Sequence, residues 1–231
     1  MLGGLVLSAC EPTVPPPMAG ALAAATYAPL SFGFPVAERD RIQATIVGVD
    51  HDPTVYGTDL ASQATCTDYD DRGFPHCYDE HAGSDFLLDG GFPAMDDGSA
   101  TVVAAAAGRV IATVDGYYDR CHVAADGVSC DGHEMVANEV ELLHEGGITT
   151  RYLHLMSDSI RVEVGQQVDC GEALGLIGSS GRSSMPHVHF EVRESGERLD
   201  PFAGPNSQPR SWWQEPPSDD DALPGGGCAA P

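Results

Sequence analysis

The sequence predicts an all-β protein, mainly antiparallel sheet with long loops. Three observations predict it: eight short segments rich in β-branched residues, glycine-bearing turns between them, and no long apolar stripe of helical period. In chain order the strands are expected at residues 44–49, 101–106, 109–114, 140–144, 148–155, 160–164, 173–177 and 187–193. Residues 50–80, rich in Asp, Tyr and Gly, form the longest irregular stretch and read as a loop pinned by a disulfide.

A chain of 231 residues that is 42% hydrophobic can bury one core. One domain over residues 29–203 is therefore expected. Residues 11–28, with Pro12, Pro15, Pro16 and Pro17 and then an alanine-rich run, suit a tether. Residues 204–231 read as a Pro-, Gly- and acid-rich tail, in which Trp212 and Trp213 are expected to pack back onto the domain. Residues 1–10 are apolar and end in Leu7-Ser8-Ala9-Cys10, which resembles a bacterial lipoprotein signal with Cys10 as the lipidated residue.

Charge removes several function classes. Acidic residues number 35 against 11 basic ones, for a net charge of −24, so a phosphate backbone would be repelled and nucleic acid is not expected as a partner. Every basic residue is an arginine, which excludes Schiff-base lysines and a lysine-bearing phosphate loop. No G-x-S-x-G elbow and no H-E-x-x-H helix motif occurs.

Setting Cys10 aside for lipid leaves six of the seven cysteines: Cys66, Cys77, Cys121, Cys130, Cys170 and Cys228. Six can pair completely. Sequence proximity favours Cys66 with Cys77, Cys121 with Cys130 and Cys170 with Cys228, out of 15 connectivities. None stands in a C-x-x-C pair, so an oxidising compartment outside the cytoplasm explains them better than structural zinc.

Among nine histidines, those with convergent spacing carry the chemistry. On a strand, His187, His189, Glu191 and Arg193 share one face while Val188, Phe190 and Val192 point to the core. His81-Ala82-Gly83-Ser84-Asp85 puts an imidazole on a turn and a carboxylate at the mouth of a strand, leading into Phe86-Leu87-Leu88. In Arg151-Tyr152-Leu153-His154-Leu155, strand alternation would send Leu153 and Leu155 inward and His154 outward. A histidine, an aspartate and one further histidine are three protein ligands that leave zinc an open fourth position.

In this order, His81-x-x-x-Asp85, Tyr152-Leu153-His154-Leu155, Val164-Gly165-Gln166-Gln167-Val168, the glycine- and serine-rich run from Gly175 to Ser184, and Pro186-His187-Val188-His189-Phe190-Glu191-Val192 resemble the lysostaphin-type zinc endopeptidases. The resemblance extends over about residues 30–203 and implies an antiparallel β peptidase domain acting on bacterial peptidoglycan. It implies His81, Asp85 and His189 as ligands of one Zn²⁺, with His187 and His154 as unligated catalytic histidines. His187 is assigned as general base and His154 as oxyanion stabiliser, an order the sequence alone does not distinguish. Met185 stands where a glycine is common, and the acidic stretch at 87–99 is longer than usual; both bear on substrate preference. The protein expected is a monomeric lipoprotein, anchored to a membrane outside the cytoplasm, that cuts peptide cross-links. The alternative is a non-catalytic wall-binding or amidase-activator lipoprotein that retains zinc.

Overall fold

The computed structural model describes residues 30–51, 77–78, 80–204, 207–217 and 223–228. Cys10, the tether at 11–28, Cys66 and most of the loop expected at 50–80 lie outside the described residues. An eight-stranded antiparallel sheet dominates. Its spatial order is β1 (Ile42–Val47), β2 (Ser84–Leu88), β11 (His187–Glu194), β8 (Ile148–Leu153), β7 (Glu139–Leu143), β4 (Gly108–Val114) and β9 (Gln167–Val168), with β12 (Glu197–Leu199) also paired to β11. Two smaller antiparallel pairs join β3 (Thr101–Val103) to β10 (Ala173–Leu176), and β5 (His122–Ala124) to β6 (Gly127–Ser129).

The core follows the period-2 pattern. Phe86 and Leu88 of β2, Val188, Phe190 and Val192 of β11, Tyr152 of β8 and Leu142 of β7 are buried in one hydrophobic cluster. A polar line crosses this core: the backbone N–H of Ala105 donates to the Tyr152 hydroxyl at 2.8 Å, Tyr152 and Thr150 hydroxyls lie 3.3 Å apart, and Thr150 Oγ1 lies 2.7 Å from His144 Nε2. His144 donates its Nδ1–H to the Ala107 carbonyl at 2.8 Å, so each of these buried polar groups has a partner.

Several expectations are corrected. Residues 160–164 form no strand, because their donors are spent singly: Ile160 N–H goes to the Asp115 carboxylate, Arg161 N–H to the Leu174 carbonyl and Glu163 N–H to Gln166 Oε1. The acidic stretch at 87–99 contains a short helix, α1 (Gly91–Asp96), with Pro93 in its first turn and Met95 buried. The β5–β6 hairpin was not expected, although Asp126-Gly127 between Cys121 and Cys130 is a turn signal.

The segment read as a tail belongs in part to the core. Trp213 is 3% exposed and packs edge-on or tilted against Phe32, Phe86, Phe190 and Phe202, with ring centroids 5.5–6.2 Å apart. Leu223 is buried as well, and Cys228 is bonded to Cys170. Cys121 is bonded to Cys130, as proximity suggested. Cys77 is also disulfide-bonded, its partner lying outside the described residues.

Removing Trp213 should therefore loosen the whole sheet. Trp213→Ala is expected to lower stability by about 3–5 kcal/mol, read as a drop in the urea midpoint. Trp213→Phe should lose far less, because Trp213 Nε1–H is buried without an acceptor and phenylalanine removes that orphan.

Candidate active site

The site is built across the seam between β2 and β11. Their register sets Asp85 directly opposite His189 and Leu87 opposite His187. His189 Nδ1 lies 2.7 Å from Asp85 Oδ1. His81, on the turn before β2, completes the group: its Nε2 lies 3.0 Å from Asp85 Oδ1 and 3.1 Å from His189 Nδ1. Gly83 makes the turn possible, since a Cβ there would sit 2.4 Å from the Phe190 carbonyl oxygen.

The outer nitrogen of each imidazole is committed elsewhere. His81 donates Nδ1–H to the Gly48 carbonyl at 2.6 Å, and His189 donates Nε2–H to Glu191 Oε1 at 3.2 Å. Those bonds leave lone pairs on His81 Nε2 and His189 Nδ1, converging on a carboxylate oxygen. Three acceptors so close together repel one another unless a cation lies between them. A tetrahedral zinc with bonds of about 2.0–2.1 Å keeps its ligands about 3.3 Å apart, near the spacing seen, so the donor set fits Zn²⁺.

Glu191 is the member that sequence reasoning placed on the face but gave no task. Its other oxygen pairs with Arg151 at 3.2 Å and Arg193 at 2.6 Å, and Arg151 also holds Glu139. Burial would raise the Glu191 carboxyl, but the bonds from His189 and Arg193 hold it down at about 2. The strand alternation that selected His187 and His189 was the signal for Glu191 too. Burial likewise works against Asp85, yet the surrounding histidines keep its carboxyl well below the usual range. Burial would depress His189, whereas its bonds to Asp85 and Glu191 carry it up to about 9.

His187 and His154 flank this group, their ring centroids 4.6 Å apart. His187 Nε2 lies 3.4 Å from Asp85 Oδ1, while its Nδ1 faces the Met185 carbonyl at 2.8 Å. His154 donates Nδ1–H to the Ser180 carbonyl at 2.6 Å, and burial together with the neighbouring histidines pushes its imidazole well below 6.5. Both rings thus offer Nε2 as an acceptor. The cleft they line holds about 370 Å³ and is bordered by Tyr78, Val128, Leu153 and Arg182.

His154 reaches the cleft by a route that simple alternation does not foresee. Ile148, Thr150 and Tyr152 are the inward residues of β8, so continued alternation would bury His154 in the core and expose Leu153 to the cleft. Leu153 does line the cleft, contrary to its expected inward position, and Leu155 is buried as expected. His154 adopts φ +67°, a left-handed conformation that swings its ring onto Leu153's face. All five residues singled out from the sequence are therefore together, and all are buried.

Comparison with described protein families matches residues 80–201 to Peptidase family M23, a span that includes all five. DD-carboxypeptidase/endopeptidase Mpg of Neisseria meningitidis serogroup B is 39% identical over 66 residues, covering 29% of this chain and 15% of its own. Peptidoglycan DD-endopeptidase ShyB of Vibrio cholerae is 43% identical over 60 residues, covering 26% of this chain and 14% of its own. The chain thus spans less than a fifth of the length of these curated relatives. A zinc containing peptidase from Vibrio cholerae, known by crystal structure, is 28% identical with a TM-score of 0.38, covering 63% of this chain and 37% of that one.

Two outcomes test this geometry. Glu191→Ala should weaken Zn²⁺ binding by about 10–100-fold in competition with a chromophoric chelator, because His189 loses the acceptor that fixes its ring. His154→Gly should unfold at higher denaturant than His154→Ala, by about 1–2 kcal/mol, since both lose the imidazole but only glycine is unstrained at φ +67°.

Proposed function

The chain belongs to peptidase family M23, and from that membership and the five convergent side chains we propose that it is a zinc-dependent endopeptidase hydrolysing peptide cross-links of bacterial peptidoglycan. The observation that carries the reading is the pairing of a complete three-donor set, His81, Asp85 and His189, with two imidazoles whose free nitrogens face the same cleft. A wall-binding or activator protein has no use for the second pair.

Zn²⁺ held by that set would lower the pKa of a coordinated water toward about 7 and polarise the scissile carbonyl. The chain's own part is to handle protons. His187 Nε2, with Nδ1–H held by the Met185 carbonyl, accepts the proton of the attacking water and returns it to the leaving amine. His154 has its only neutral donor committed to Ser180, so we assign it as a second acceptor that orients the water, in place of the oxyanion-stabilising role expected from sequence. Burial of all five groups keeps bulk solvent away from these bonds and strengthens them.

Disulfides in the fold fit a protein that works outside the cytoplasm. We propose Cys10 as the site of a membrane-anchoring lipid, residues 11–28 as the tether, 29–203 as the peptidase domain with part of 204–231 packed onto it, and a monomer as the working unit. The partner is a peptidoglycan peptide, and nucleic acid is not a partner of a chain this acidic.

Zinc content and release of soluble peptides from isolated peptidoglycan, each before and after chelation, test the proposal. One zinc per chain and release that stops on chelation are expected; bound zinc without release would favour the activator reading. His187→Ala should keep its zinc and lose about 10²–10⁴-fold in turnover. Full cleavage by that variant would refute the mechanism.

A further inference from the structure

Behind His187 runs a buried chain of hydroxyls that neither the metal set nor the cleft uses. His187 Nδ1 lies 3.2 Å from Ser183 Oγ, Ser183 Oγ lies 2.7 Å from Ser179 Oγ, and Ser179 Oγ lies 2.6 Å from the carbonyl oxygen of Cys121. Ser179 and Cys121 are fully buried, and Ser183 is 1% exposed, so no water competes for these bonds. The backbone doubles the last link, Cys121 N–H donating to the Ser179 carbonyl at 2.9 Å. Cys121 is itself clamped to Cys130 by a disulfide that closes the β5–β6 hairpin, whose Val128 borders the cleft.

The direction of this chain follows from its end. A carbonyl can only accept, so Ser179 must spend its one hydroxyl proton on Cys121. Ser183 Oγ also lies 2.8 Å from the Met185 carbonyl, so its one proton goes either there or to Ser179, and in both cases Ser183 Oγ is left as an acceptor toward His187. An acceptor there, beside the Met185 carbonyl at 2.8 Å, calls for a proton on Nδ1 and therefore a lone pair on Nε2, the nitrogen that faces the cleft.

We propose that Ser179 and Ser183 are positioning residues for the general base, and that the Cys121–Cys130 disulfide anchors their relay and so belongs to the catalytic apparatus as well as to the fold. This rests on the endopeptidase reading given above. Ser179 lies two hydrogen bonds from His187, which makes its substitution a probe of the relay that touches neither substrate nor metal ligands.

The test uses the full chain carrying Ser179→Ala, or the paired change Cys121→Ala with Cys130→Ala. Turnover on isolated peptidoglycan should fall about 10–100-fold with KM and zinc content unchanged. In the metal-free chain, the ¹⁵N imidazole spectrum of His187, assigned by its loss in His187→Ala, should change from a pure Nδ1–H tautomer to a mixture. An unchanged tautomer pattern or an unchanged kcat in Ser179→Ala overturns the proposal, and that single variant decides the matter if the cysteine pair fails to fold. Should the wild-type chain release no peptide, the endopeptidase reading falls by itself, while the tautomer pattern still decides the relay.

Discussion

The pairing of Asp85 with His189 across β2 and β11 fixes the geometry on which every other feature of the site depends. Register in an antiparallel sheet is discrete: a slip of one residue would send Asp85 into the core and bring Phe86 to the cleft. That slip is opposed from both faces. Phe86 and Phe190 are completely buried on one side, and on the other the turn at Gly83 passes so close to Phe190 that no larger residue fits. The hydrophobic core thus does the aligning, and the polar face inherits a precision its own attractions could not supply.

A second regularity is the use of main-chain carbonyls to choose imidazole tautomers. Gly48, Ser180 and Met185 each accept from Nδ1 of a different histidine, so three rings present Nε2 to a common space. Only His189 is turned the other way, and there a carboxylate takes the carbonyl's place. Carbonyls hold the rings without adding charge, whereas a full set of carboxylates would have deepened the negative field of an already acidic protein. The single charged partner, Glu191, is itself balanced by Arg151 and Arg193.

Much of this was legible in the sequence, for reasons particular to each residue. His187 and His189 were found because a strand of alternating character has only one way to face, and His81 with Asp85 because a short glycine turn before an apolar run leaves little freedom. His154 was found by its company, but its route was misread, since strand alternation says nothing about a left-handed residue that is held in place by its backbone bond to Gly178. Gly48 and Ser180 contribute through carbonyl oxygens, which every residue possesses, so no side-chain pattern announces them. The strand expected at 160–164 failed because β-branched residues satisfy a propensity without guaranteeing a partner strand, and here Asp115 and Gln166 took the donors.

The placement of the chain ends carries one more consequence. Phe32 donates its N–H to the Trp212 carbonyl and accepts from Gln214, and Phe34 donates to Gly226, so the first described strand-like segment is held by almost the last. A ribosome delivers those partners some 180 residues apart in time as well as in sequence. Until Trp213 emerges, Phe32, Phe86 and Phe190 lack the indole that covers them, and contacts of such long range are slow to form. Completion of the core therefore waits until residues 212–226 have been made, which keeps the nascent chain open and threadable until that point.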